Sequence, residues 1–159
     1  MMTVLGIDPG VSGAVARVSD DGACVWSPEV YKEGSRTRIC PLWVRSVLLT
    51  SPQPTLVVME RQSTRPGEAG VASFSAGWNA AVYHSVAQIL GLRFEWVAPP
   101  TWKAKFSLLA AGLTPAEKKS AALQRARELW PDLADDLKRV SDHGRADALL
   151  IAEWARTKR

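Results

Sequence analysis

Apolar residues in this chain come in short runs whose spacing sets the elements. Residues 4–8 (VLGID) and 14–18 (AVARV) are apolar strands separated by the turn formers Pro9-Gly10 and Ser12-Gly13, which together predict a hairpin. Asp20-Asp21-Gly22 turns the chain into a third strand over residues 23–26. Over residues 37–50, Ile39, Leu42, Trp43, Val47 and Leu48 recur near helical spacing and predict a helix whose start Pro41 limits, with a break at 51–54. Residues 55–60 (TLVVME) form a continuous apolar run, the pattern of a strand covered on both faces. Pro66, Gly67 and Gly70 mark a loop over 63–71. A long helix follows over 73–90, ended by Gly91, then a strand over 92–97 stopped by Pro99-Pro100. Thr101 is placed to cap a short helix over 102–109. Thr114-Pro115-Ala116-Glu117 opens a helix that runs to about residue 130, because Thr serves as N-cap, Pro suits the first turn and Glu stands at N3. Asp142 opens a last helix to about residue 156.

This order predicts an α/β fold, a mixed five-stranded sheet flanked by helices, in one domain spanning residues 1–159. It is the element order of the RNase H-like fold. With 47% hydrophobic residues among 159, the chain has enough apolar side chains for a substantial core. No run approaches the roughly 20 apolar residues a membrane span needs. The N-terminus shows no charged leader followed by an apolar core. Cys24 and Cys40 have no metal-ligand spacing and read as free thiols of a reducing compartment.

Three carboxylates stand where apolar elements end or begin: Asp8 after the first strand, Glu60 after the fourth, Asp147 in the last helix, with Asp142 close by. Carboxylates brought together repel unless a cation neutralises them. An all-oxygen donor set suits a hard divalent ion, Mg²⁺ with Mn²⁺ as substitute, and a pair of such ions suits phosphodiester hydrolysis. Each residue also has an ordinary reading: a turn cap for Asp8, an ion pair with Arg61 for Glu60, a buried salt bridge for Asp147. Asp142 and Asp147 are five residues apart, about 140° around a helix. They share a site only if Asp142 lies off the helical path. His143, four before Asp147, shares its face and is a second-choice ligand or proton carrier.

The net charge of +4 is unevenly placed, with cations in WKAKF (Lys103, Lys105), EKKSAALQRAR (Lys118, Lys119) and the tail. A basic surface around an acidic pocket suits a polyanion. Gln62 to Phe74 follows Glu60 directly, so Arg61, Arg65 or Phe74 can reach DNA, and Phe74 or Arg65 can wedge or stack among unpaired bases. Core packing is the equal alternative for Phe74. The seven tryptophans are read as core, with Trp78 a candidate for a dimer interface.

GIDPG, VVMERQ and DHGRADALLIAEW together resemble the RuvC family of Holliday-junction resolvases, above all its plastid branch and related phage and bacterial proteins. The resemblance covers nearly the whole chain. It implies a homodimer that makes paired nicks in four-way DNA junctions with two Mg²⁺ or Mn²⁺ per site. It assigns the acids to Asp8, Glu60, Asp142 and Asp147, and phosphate contact to Lys118 and Lys103. Asp147 stands where the plastid pattern more often has Glu. The resemblance also implies a chloroplast nucleoid setting, the alternative being a bacterial or phage-infected cytoplasm. Rival readings are an RNase H-like nuclease on RNA or branched DNA, a non-catalytic junction-binding module, and an actin-like ATPase, for which the chain is short.

Overall fold

The computed structural model describes residues 2–50, 56–64, 66–67 and 69–158. Its main sheet has the order β3-β2-β1-β6-β7. β1 (Val4–Asp8), β2 (Ala14–Ser19) and β3 (Gly22–Trp26) form an antiparallel meander, and β6 (Leu56–Glu60) and β7 (Phe94–Val97) add in parallel to β1. The expected mixed five-stranded sheet flanked by helices is therefore present. No helix among the described residues is long and apolar enough to cross a membrane.

Alternation along each strand divides the core. Val4, Leu56 and Val58 face a layer made by α4 (Pro115–Leu129) and α5 (His143–Thr157), together with Trp102 of α3 (Pro99–Lys105). Leu5, Ile7, Val57 and Met59 face α1 (Pro41–Leu48) and α2 (Gly70–Ile89) through Val44, Leu48, Ala80, Tyr83 and Ala87. A Cβ at Gly6 would lie 2.3 Å from the Ala148 carbonyl oxygen and 2.5 Å from the Ala152 nitrogen. The α5 backbone thus rests directly on β1, and only a residue without a side chain fits between them.

Several boundaries differ from the sequence pattern. Residues 37–50 are not one helix. β4 (Val30–Glu33) and β5 (Arg36–Ile39) form a separate hairpin across Gly34, whose φ is 61°, and α1 begins only at Pro41. Pro41 disfavours helical backbone at Cys40, which is extended (φ −72°, ψ 117°). The short helix expected over 102–109 is α3, three to four residues earlier, because Pro99 and Pro100 occupy its first turn rather than preceding it. Gly91 follows α2 with φ 65°, as a helix-ending glycine should. The Thr114 capping box forms as expected: Thr114 N–H donates to Glu117 Oε2 (2.7 Å) and Glu117 N–H to Thr114 Oγ1 (3.2 Å). The expected break at 51–54, Thr55 and Arg65 lie outside the described residues. Cys24 and Cys40 are free thiols.

The β1–α5 contact makes a direct prediction. Gly6→Ala should lower unfolding free energy by about 3 kcal/mol, since backbone atoms rather than a side-chain tip must move. A urea melt checks this, and an unchanged midpoint would contradict the contact.

Candidate active site

The parity that sorts the core also gathers the acids. Asp8 continues the face of Val4 and Gly6, and Glu60 continues that of Leu56 and Val58. The parallel register pairs Val4 with Leu56 and Gly6 with Val58, so its next step sets Asp8 beside Glu60. α5 crosses this face. A Cβ at Gly144 would be 2.3 Å from the Ser12 carbonyl oxygen and 3.2 Å from Asp8 Oδ2, so the start of α5 is pressed onto the β1–β2 turn. Asp147 lies one helical turn further along α5.

Trp102, fully buried in α3, donates its indole Nε1–H to Glu60 Oε2 at 2.8 Å. Asp8 Oδ1 accepts from the Gly10 N–H at 3.5 Å. Burial, then the charge of Glu60, pushes the Asp8 carboxyl up to about 6, against the opposing effects of Gly10 and Lys103. Burial, then the charge of Asp8, pushes Asp147 up to about 8. Glu60 adds to the rise, and Lys103 and Lys119 oppose it. Asp8, Glu60 and Asp147 therefore form one electrostatically coupled cluster, and Lys103 acts on two of its members. Tyr83 comes from the other sheet face: its hydroxyl is buried without a hydrogen-bond partner, and burial and the Asp8 charge push its pKa up.

A cleft of ≈ 250 Å³ opens at Asp147 and His143, walled by Lys103 of α3, Lys118 and Lys119 of α4, Leu108, Pro115 and Ala122. Burial, then Lys119, lowers the His143 pKa and so favours the neutral imidazole. Asp142 stands elsewhere. Its Oδ2 accepts from the Arg139 N–H at 2.8 Å and its Oδ1 from Arg139 Nη2 at 3.4 Å. It lines a second cavity of ≈ 210 Å³ with Ser12, Ser27, Arg139, Ser141 and Arg145. Burial raises the Asp142 carboxyl, but the Arg139 amide and guanidinium, with Arg145, outweigh it and hold it below its usual range. This differs from the expectation that Asp142 stands with the other three acids. Asp142 precedes α5 and is held by Arg139 toward the second cavity, while His143 occupies the cleft beside Asp147.

The remaining expected contacts scatter. Lys105 is exposed and donates to Thr157 Oγ1. Arg61 is exposed, and with Gln62 it lines a cavity of ≈ 340 Å³ beside Gly77, His84 and Trp96. Phe74 is 51% exposed, so it is not a core residue. Trp78 and Trp96 are also exposed, unlike the fully buried Trp102. Sequence reasoning missed the Trp102 indole; the only available signal was a lone aromatic beside two lysines just after a Pro-Pro helix start.

Among the described residues no three His, Cys, Asp or Glu side chains are arranged to enclose a metal. The expected four-carboxylate cage is thus not formed by this set as it stands. The donor chemistry does fit a hard divalent cation: Asp8 and Asp147, coupled to Glu60, are driven toward the neutral form by burial and repulsion that Lys103 and Lys119 offset only in part. Asp8, Glu60 and Asp147 would be the residues to hold such an ion.

No family model matches the chain. Among solved structures, Thermus thermophilus RuvC in complex with a Holliday junction substrate superposes with a TM-score of 0.64, covering 99% of this chain and 97% of that one at 23% identity. The chain has the RuvC fold. This RuvC-like domain also matches the yeast mitochondrial Holliday junction resolvase Ydc2, with a TM-score of 0.50 and 16% identity over 96% of this chain and 77% of that one. By sequence it is 36% identical over 90 residues to the chloroplastic Holliday junction resolvase MOC1 of Chlamydomonas reinhardtii. That match covers 57% of the RuvC-like chain and 10% of the longer protein.

The coupled acids dictate a pH-dependent stability. Between pH 3.8 and about 8 the unfolded chain has lost the Asp147 proton that the metal-free fold retains. Stability therefore falls across this window as pH rises. Asp147→Asn should match the wild type near pH 3.5 and exceed it by roughly 2 kcal/mol at pH 8. Mg²⁺ should narrow the gap by raising the wild-type midpoint. Thermal melts in EDTA and in Mg²⁺ check this, and a gap that shrinks with rising pH would contradict it.

Proposed function

We propose that this chain is a structure-selective DNA endonuclease that resolves four-way junctions by paired nicks. The observation that carries the reading is the cleft itself: Asp147, coupled to Asp8 and Glu60 behind it, lines it together with Lys103, Lys118 and Lys119. Such a juxtaposition attracts a phosphodiester and positions it against divalent cations. The RuvC fold and the local likeness to a chloroplastic junction resolvase support the same substrate class.

Asp8, Glu60 and Asp147 would hold two Mg²⁺, or Mn²⁺ in their place. Bound there, the ions supply an acidified water and neutralise charge at the leaving 3′ oxygen. Trp102 keeps Glu60 oriented by holding Oε2. The lysine wall neutralises the phosphate, with Lys118 acting as a point charge that sets position and rate without choosing sequence. His143, favoured neutral, has a ring nitrogen free to take the proton released by the attacking water. The products are a 5′ phosphate and a 3′ hydroxyl, which a ligase can rejoin.

A four-way junction has two equivalent strands to cut, so paired nicks call for two clefts and hence a homodimer. We read residues 1–159 as one nuclease domain. The relative named chloroplastic supports a plastid setting, with the nucleoid the place where junction DNA resides.

The test is a synthetic four-way junction, end-labelled on each strand, with linear duplex, hairpin and RNA–DNA hybrid as controls. The wild type should nick the junction symmetrically in Mg²⁺ and leave the controls intact. Asp8→Asn and Asp147→Asn should each slow cleavage about 10³-fold while junction binding in EDTA persists. Cutting at the wild-type rate by both variants, or preference for the hybrid, would overturn the proposal.

A further inference from the structure

Asp142 is expected at the metal, and the fold sends it to the second cavity instead, where it has a definite task. It stands at the N-cap of α5, yet its side chain makes no cap bond. Both oxygens accept from Arg139: Oδ2 from the amide at 2.8 Å, Oδ1 from Nη2 at 3.4 Å. The Asp142 side chain is 7% exposed and that of Arg139 is 76% exposed. This corner of the cavity therefore presents the guanidinium to solvent, with its counter-charge beneath it.

Arg145 is held from another wall by the same device. Its Nε donates to Ser27 Oγ at 3.1 Å, and its Nη1 donates to the carbonyl and the Oδ1 of Asp136, each at 3.1 Å. These bonds use Arg139 Nη2 and Arg145 Nε and Nη1, so the other N–H groups of each guanidinium are open to a ligand. The carboxylates are already engaged by the arginines. Ser12 and Ser141 join Ser27 around the ≈ 210 Å³ space and add hydroxyl donors. Open donors over engaged acceptors suit an anion, and guanidinium forks match the paired oxygens of a phosphate.

Position identifies the anion. The cavity and the Asp147 cleft meet at consecutive residues, Asp142 lining one and His143 the other. The first turn of α5 separates them. A DNA strand with one phosphate against Asp147 carries a neighbouring phosphate across this turn.

We propose that Arg139, Arg145, Ser12, Ser27 and Ser141 form a second backbone-phosphate site, for the phosphate next to the scissile one, and that Asp142 is the positioning residue that aims Arg139 into it. The inference rests on the junction-nuclease reading and adds a subsite to it. Asp142 touches neither metal nor DNA; it acts through Arg139. A contact of this kind fixes the register of the strand without reading its sequence.

The test follows junction binding in EDTA by fluorescence anisotropy over a series of KCl concentrations. Arg139→Gln should weaken binding about fivefold and reduce the slope of log affinity against log salt by about 1, with an unchanged thermal midpoint. Arg139→Lys, which keeps the charge, should restore the slope. Junctions carrying a neutral methylphosphonate at either neighbour of the scissile phosphate locate the contact: at one of the two, wild type and Arg139→Gln should show the same slope. Asp142→Asn should weaken binding about threefold and leave single-turnover cleavage at saturating junction within about threefold of wild type. A metal ligand would instead lose about 10³-fold in cleavage with binding intact, and that result overturns the positioning role. Should Asp142→Asn fail to fold, the Arg139 variants still decide. If Arg139→Gln keeps the wild-type slope, or abolishes only a rise in thermal midpoint on adding inorganic phosphate, the strand subsite is wrong while junction cleavage by the wild type keeps the nuclease reading. If the wild type neither binds nor cleaves junctions, both fall.

Discussion

Everything functional in this chain depends on how closely α5 lies on β1. At Gly6 and again at Gly144 there is no room for a side chain, and the obstructing atoms are backbone. This contact is a distance constraint. It brings the face of α5 carrying Asp147 against the strand ends carrying Asp8 and Glu60, although the three lie far apart in sequence. A helix held off by even one methyl layer would leave Asp147 apart from the Asp8–Glu60 pair and open the strand ends to water. Pressed together and buried, Asp8 and Asp147 are pushed toward the neutral form, and the energy of that crowding becomes available to whatever cation relieves it.

The cationic side of the cleft is built independently. α3 starts at a proline pair and α4 at a full capping box, so each helix has a sharply defined first turn. Lys103 follows the first start closely, and Lys118 and Lys119 the second. Precise helix starts thus do for the lysines what strand parity does for the acids. They fix direction through local signals.

Much of this was legible in the sequence because it depends on period-two and cap signals. Apolar runs located the five strands of the main sheet, and Thr114-Pro115-Ala116-Glu117 located α4. The β4–β5 hairpin was not seen, since its residues are largely exposed and lack an apolar alternation. Ile39 and Leu42 also fell at helical spacing across Pro41 and suggested one continuous helix. Glycine-34 with Ser35 between short β-forming stretches was the signal available. The positions of Asp8, Glu60 and Asp147 followed from element ends. The place of Asp142 did not, because its partner Arg139 belongs to an irregular stretch whose path no periodicity describes. The Trp102–Glu60 bond joins residues 42 apart and leaves no local trace.

That indole bond has a consequence for denticity. A carboxylate free on both oxygens can chelate one ion or bridge two. With an N–H already lodged on Oε2, Glu60 has its other oxygen as the less encumbered donor, and symmetric chelation is disfavoured. Fewer coordination positions are then filled by protein, and more are left for exchangeable oxygens. Under the proposed reading, such a donor would favour exchange of a bound ion over its tight retention.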